Sequence, residues 1–180
     1  SYNEIDKTNP INVYGKTKLA GEKVIQEILP VDAIIIRVSW MYSEYGNNFV
    51  KTMLRLGKEQ DEINVVNDQI GSPTYALDLA GVILQIIKYR KLKKENETTQ
   101  IYHYSNEGKI SWYEFAKEIF NIANLDCKVN PVITGHYPAL AKRPKITLMN
   151  KSKISRRYDI NILELRKSLK SCIAILKEQQ

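Results

Sequence analysis

"NVYGKTKLAGEKVIQEILPVDAIIIRVSW" spans residues 12–40 and contains, in order, a helical pattern and a strand pattern. Over residues 12–29, Val13, Leu19, Ala20, Val24, Ile25 and Ile28 recur at helical spacing, and Pro30 ends the run. "VDAIIIRVSW" follows, a short continuous apolar stretch rich in β-branched residues. That is how a strand buried on both faces of a parallel sheet reads. A helix handing over to such a strand is the beat of an α/β fold. Inside the helix, Tyr14 and Lys18 stand four residues apart and so share one face.

Working outward, "GNNF" opens a second helix at about residues 47–59, "INVV" reads as a short strand, and "QIGSPTY" as a turn punctuated by Gly71 and Pro73. A long apolar helix, "ALDLAGVILQIIKY", comes next, and the polar stretch 91–100 reads as a loop. "IYHYS" is a predicted strand, with His103 within it. "SWYEFAKEIFNIAN" is a predicted helix with Ser111 and Glu114 spaced for a capping box. "VNPVITGHYPALAKRP", which holds His136, reads as irregular, and a last helix covers roughly residues 162–178. Only one strand reads as deeply buried, so the chain looks like part of an α/β protein. We expect residues 1–60 to belong with the sheet and its helix, and residues 61–180 mainly to a second, smaller unit that crosses back to the sheet.

Composition narrows the class. The 180 residues are 43% hydrophobic and 26% charged, as in an ordinary globular protein. No apolar run reaches the ~18 residues of a membrane span, and "SYNEIDKTNP" shows no signal-peptide pattern. Cys127 and Cys172 lie far apart without metal-type spacing, which reads as two reduced thiols and a cytoplasmic setting. The net charge of +7 is concentrated in "KYRKLKKE", residues 88–95, at a helix end where cations suit the dipole. No nucleic-acid motif or interleaved aromatic residues accompany it. Neither nucleic acid nor membrane is expected as a partner.

Tyr-x-x-x-Lys occurs three times, at Tyr14/Lys18, Tyr89/Lys93 and Tyr113/Lys117, so the bare pattern says little. The first pair differs in its neighbourhood. "NPINVYGKTKLAGE" resembles the active-site helix of the extended short-chain dehydrogenase/reductase family, and within it the branch that reduces dTDP-4-dehydrorhamnose. The likeness continues through "RVSWMYSEYGNNFVKTMLRLGKE", "VVNDQIGSPTYALDLA", "WYEFA" and "YPALAKRP". It implies a partial Rossmann-type fold, NADPH or NADH as cofactor and a nucleotide sugar as substrate, with a homodimer as an open possibility.

The chemistry of such a site is a hydride delivered to a ketone, leaving an alkoxide that needs a proton. A tyrosine of pKa ~10 is a poor donor at neutral pH. A cation ~4 Å away at an effective dielectric near 20 favours the phenolate by about 4 kcal/mol, opposed by desolvation. By resemblance Tyr14 is the proton donor, and Lys18 its tuner and a clamp on the nicotinamide ribose; otherwise the two are an exposed i,i+4 pair. Ser39, at the carboxyl end of the strand, falls on the cofactor side. Trp40 matches a tryptophan packed on the sugar, or is a core residue. Asn47 and Asn48, with Phe49, open a helix that suits either an anion or a simple cap. Arg143 matches an arginine near the phosphates, or is a surface residue. Ile146 and Thr147 stand where the family has Asn-Ser.

No G-x-G-x-x-G or G-x-x-G-x-x-G is found among the eight glycines, and only 13 residues precede Tyr14. The sequence therefore reads as the substrate-side piece of a reductase, inactive without its dinucleotide-binding half. The alternatives are another nucleotide-sugar reductase or epimerase of the same family, and a non-catalytic regulatory subunit related to it.

Overall fold

The computed structural model describes residues 1–31, 33–93, 98–136 and 142–179. In chain order the elements are α1 (Val13–Ile28), β1 (Ile34–Val38), β2 (Met41–Tyr42), α2 (Phe49–Glu59), β3 (Glu62–Val66), β4 (Ile70–Gly71), β5 (Thr74–Tyr75) and α3 (Ala76–Lys93). After these come β6 (Gln100–Tyr104), β7 (Ile110–Ser111), α4 (Trp112–Ala123), β8 (Lys128–Val132), a 3-10 turn (Thr134–His136), α5 (Ser152–Tyr158) and α6 (Leu165–Glu178).

Four strand pairs organise the chain. β1 with β6, β2 with β5, and β3 with β8 are parallel, while β4 and β7 are antiparallel. Parallel partners need long crossovers, so the chain weaves between two cores. In one, α3 and α5 cover a face of β1 and β6, burying Val82, Ile86, Tyr102, Tyr104, Ile154 and Tyr158. In the other, α2, α4 and α6 close over β3 and the β2–β5 pair, with Val50, Phe115, Ala116, Ile119, Leu169, Cys172 and Ile173 nearly or fully buried. Both cysteines are free and buried, and burial pushes the Cys172 thiol up to about 12.

Several sequence expectations need adjustment. β1 is parallel as read, but all five of its residues are half-buried rather than enclosed on both faces. The cause is that β6 is its one strand partner among the described residues, and α1 buries none of its side chains. A strand, β8, lies in the stretch read as irregular. Its Pro131 is tolerated because β8 has a single strand neighbour among the described residues, so the missing N–H need not cost a ladder bond. α5 has no side-chain cap and only seven residues, which left no sequence signal. α3 runs three residues into the predicted loop at 91–100, of which 94–97 lie outside the described residues. The capping box is present: Glu114 N–H donates to Ser111 Oγ at 3.1 Å and Ser111 N–H to Glu114 Oε2 at 2.8 Å.

A buried polar knot joins the cores. Asn106 Nδ2 donates to Asp78 Oδ2 at 2.6 Å and to Ser168 Oγ at 2.8 Å, while its Oδ1 accepts from Tyr75 N–H at 2.8 Å. Ser168 Oγ also donates to Asp78. Substituting Asn106→Ala strands the buried Tyr75 N–H and removes one of the two donors to Asp78, so we expect a loss of about 2–4 kcal/mol in urea unfolding.

His103 on β6 is buried, and its Nδ1 has no partner among the described residues. Burial holds its pKa below the ordinary histidine value; Glu4 opposes this and Arg37 adds to it. The unfolded chain takes up that proton near pH 6.5 while the folded chain resists it, so stability falls as pH drops below about 6.5. Urea titrations from pH 8 to pH 5 should therefore show a shallower loss for His103→Gln than for the parent.

Candidate active site

The Tyr14–Lys18 pair depends on how α1 is placed. Asn12 caps the helix, its Oδ1 accepting from Gly15 N–H at 2.8 Å. Farther along, Arg37 of β1 grips Glu22 through Nε at 2.8 Å and Nη2 at 2.6 Å, a half-buried two-pronged ion pair. Just past the helix, the carbonyls of Leu29 and Pro30 accept from Thr99 beside the start of β6, where Gln100 lies opposite Ile34. Going back from Leu29 to Glu22 thus advances from Ile34 to Arg37, about 10 Å on helix and strand alike. α1 runs antiparallel to β1. The helix therefore carries Tyr14, eight residues further back, toward the carboxyl end of β1.

At that end Tyr14 is 71% exposed and Lys18 Nζ sits 5.3 Å from its ring centroid. No hydrogen bond ties Tyr14 Oη or Lys18 Nζ to another described residue. Tyr113 and Lys117 have nearly the same mutual geometry, 5.4 Å, on α4. Placement at the end of a parallel pair, not spacing, separates the two pairs. Tyr89 instead packs edge-on against Tyr158.

Trp40 turns the chain from β1 into β2 with φ +48°, a left-handed conformation that is costly for a bulky residue. Such strain collects at ligand sites and switch points. Three contacts hold it. Trp112 stacks on the indole at 3.7 Å, Thr74 N–H donates to Trp40 O at 3.2 Å, and Thr74 Oγ1 donates to Ser39 O at 2.6 Å. Ser39 Oγ donates to Ser72 O at 2.6 Å, leaving its lone pairs toward other partners. Gly71 is bare for a reason: a Cβ there would fall 2.7 Å from Trp40 Cε2 and also against Thr147 Oγ1.

Of the two readings open for Asn48, the structure shows the cap. Its Oδ1 accepts from Lys51 N–H at 3.2 Å and its Nδ2 donates to Ser43 O at 2.6 Å, so both ends of the amide are spent on α2. Asn47 is exposed beside it. Arg143 is exposed, and the carbonyl of its neighbour Lys142 accepts from Asn12 Nδ2 at 2.9 Å, which brings it to the tip of α1. Most of the "YPALA" stretch before it, residues 137–141, lies outside the described residues. Ile146 and Thr147 bridge Ile70 through the backbone, so the departure from Asn-Ser leaves a main-chain contact there. Sequence reasoning missed Glu22, Arg37, Gly71, Trp112 and Asn12. An arginine inside an apolar strand was the one readable sign of a partner.

A tyrosine–lysine helix laid antiparallel to a strand of a parallel pair is the arrangement of a Rossmann-type α/β protein of the short-chain dehydrogenase/reductase kind. The family model described as RmlD substrate binding domain matches residues 1–178, and the chain belongs to that family. It is 42% identical over 177 residues to dTDP-4-dehydrorhamnose reductase of Aggregatibacter actinomycetemcomitans, covering 94% of this chain and 59% of that one. The crystal structure of dTDP-4-dehydrorhamnose reductase from Bacillus anthracis in complex with NADP is 41% identical with a TM-score of 0.89, covering 97% of this chain and 59% of that one. The Clostridium acetobutylicum dTDP-4-dehydrorhamnose reductase structure is 40% identical with a TM-score of 0.88, covering 98% and 60%. The chain spans about three fifths of the length of these relatives. Among the described residues no helix is long and apolar enough to cross a membrane, and no cluster of metal-ligating side chains occurs.

Gly71→Ala is expected to destabilise the protein by about 1–3 kcal/mol in chemical denaturation, with a changed tryptophan emission as the Trp40–Trp112 stack is pushed apart.

Proposed function

We propose that this chain is the substrate side of a reductase that converts the C4 ketone of dTDP-4-dehydro-L-rhamnose to the alcohol of dTDP-L-rhamnose. What supports this is the family match together with the Tyr14–Lys18 pair, whose hydroxyl and ammonium make no hydrogen bond to another described residue. NADPH, when bound, supplies the hydride. The unspent Tyr14 hydroxyl and Lys18 ammonium suit a ribose edge and a reacting oxygen, so the residues present fit that cofactor. As hydride reaches the carbonyl carbon, the C=O π pair becomes an alkoxide lone pair. Tyr14 Oη gives its proton to that oxygen, forming the hydroxyl, and the Lys18 cation stabilises the phenolate until solvent returns a proton. Ser39 lies on the cofactor side of the turn. Trp40, with one indole face on Trp112, offers its remaining surface to the sugar. Asn47 and the amino end of α2 face the nucleotide, as does Arg143, whose guanidinium makes paired contacts with phosphate. Asn48 serves this group through the cap. α1 and β1 with β6, α3 and α5 form the cofactor side, and the α2, α4 and α6 core the substrate side.

The test is NADPH oxidation by the reductase that carries this chain joined to its dinucleotide-binding half. Tyr14→Phe should lower kcat about 10²- to 10⁴-fold with dTDP binding unchanged, and the 180 residues alone should show no turnover. A folded, dinucleotide-binding protein that reduces no nucleotide sugar would instead make this a regulatory subunit.

A further inference from the structure

We propose that Asn12 is a positioning residue that couples the helix of the proton donor to the arginine of the phosphate site. The proposal rests on the reductase reading for what Arg143 binds, and on geometry for the coupling. Residues 142–150 form an extended strap stitched down along its length. Ile70 N–H donates to Lys145 O at 2.8 Å, and Thr147 N–H to Ile70 O at 2.9 Å. Tyr2 N–H donates to Leu148 O and Asn150 N–H to Tyr2 O, both at 2.8 Å, and Asn150 Nδ2 donates to Asn3 Oδ1 at 2.9 Å. These contacts hold the strap on the carboxyl side of Arg143.

On the amino side the hold comes from Asn12. Its Nδ2 donates to Lys142 O at 2.9 Å, across 130 positions of sequence, while its Oδ1 caps α1 through Gly15 N–H at 2.8 Å. One half-buried amide therefore uses its two ends on two different segments. Its acceptor fixes the first turn of the helix that carries Tyr14. Its donor fixes the residue before Arg143. Serine and threonine cap helices about as well as asparagine but are too short to reach that carbonyl, and aspartate has no donor to offer it. Asparagine meets both needs.

The amide thus sets the distance between the group that gives a proton to the sugar and the group that grips the diphosphate. Losing the tie to Lys142 loosens the grip on the diphosphate, while the cap keeps the helix of the proton donor in place. An arginine anchored on both flanks also has less freedom to lose on binding.

The experiment is a double-mutant cycle of Asn12→Ser and Arg143→Ala in the complete reductase. It reads the KM for the nucleotide sugar, the Kd for dTDP by calorimetry and the thermal midpoint. Asn12→Ser keeps the cap, so the midpoint should stay within about 2 °C. KM and Kd should rise about 2- to 10-fold, the size of one lost hydrogen bond, with kcat much less affected. In the Arg143→Ala background the same change should have no further effect on either constant. Asn12→Asp should repeat the pattern, since it keeps the cap and has no donor for the Lys142 carbonyl.

Equal factors in both backgrounds, or no rise in Kd for dTDP, would overturn the coupling. The dTDP arm does not depend on turnover. A reductase with an additive cycle sinks the positioning role alone. A non-additive cycle in a protein that reduces no nucleotide sugar sinks the reductase reading and leaves the coupling standing.

Discussion

The left-handed backbone at Trp40 is the joint on which the two cores turn. β1 belongs to the core built on β6, α3 and α5; two residues later β2 belongs to the core closed by α2, α4 and α6. An ordinary extended residue at position 40 would carry the chain straight on along β6. The unfavourable φ is held by an indole stack, two hydrogen bonds from Thr74 and a neighbouring residue with no side chain. Because the chain changes strand partners here, from β6 to β5, the carboxyl end of β1 is a switch point between the two cores. Ligands of α/β proteins collect at such places.

α1 lies against the sheet with little hydrophobic help. Its apolar positions leave no side chain fully buried. Arg37 and Glu22 supply a directional tie instead, and two parallel bonds to a carboxylate fix orientation as well as distance. Raising the Arg37 pKa still further is the electrostatic side of the same contact. A greasy interface tolerates sliding; a forked ion pair does not.

The sequence disclosed the parts that follow a period or a cap. α1, α2, the start of α3 and the Ser111 box were legible because spacing and capping residues are local. The Tyr14–Lys18 face was legible for the same reason, although identical geometry at Tyr113–Lys117 shows that spacing alone could not choose between them. What was hidden is non-local. β8 carries a proline and reads as loop until β3 lies beside it. Asn48 could not be assigned to cap or ligand until its amide was seen to reach Ser43 and Lys51. Trp112 belongs to a helix start in sequence and to the Trp40 turn only in space.

The parallel pairings also determine how the molecule comes together. Ile34 meets Gln100 and Glu62 meets Lys128, and the two crossovers overlap, with β3 lying inside the first and β6 inside the second. No contiguous stretch shorter than most of the chain contains a finished core. Closing such long loops is costly before any contact repays it, which makes folding slow relative to a helical bundle of this size. The same interleaving denies either core a private melting transition: pulling α3 away from β6 also disturbs the knot at Asn106 that anchors α6 in the other core. The two cores are therefore lost and gained together.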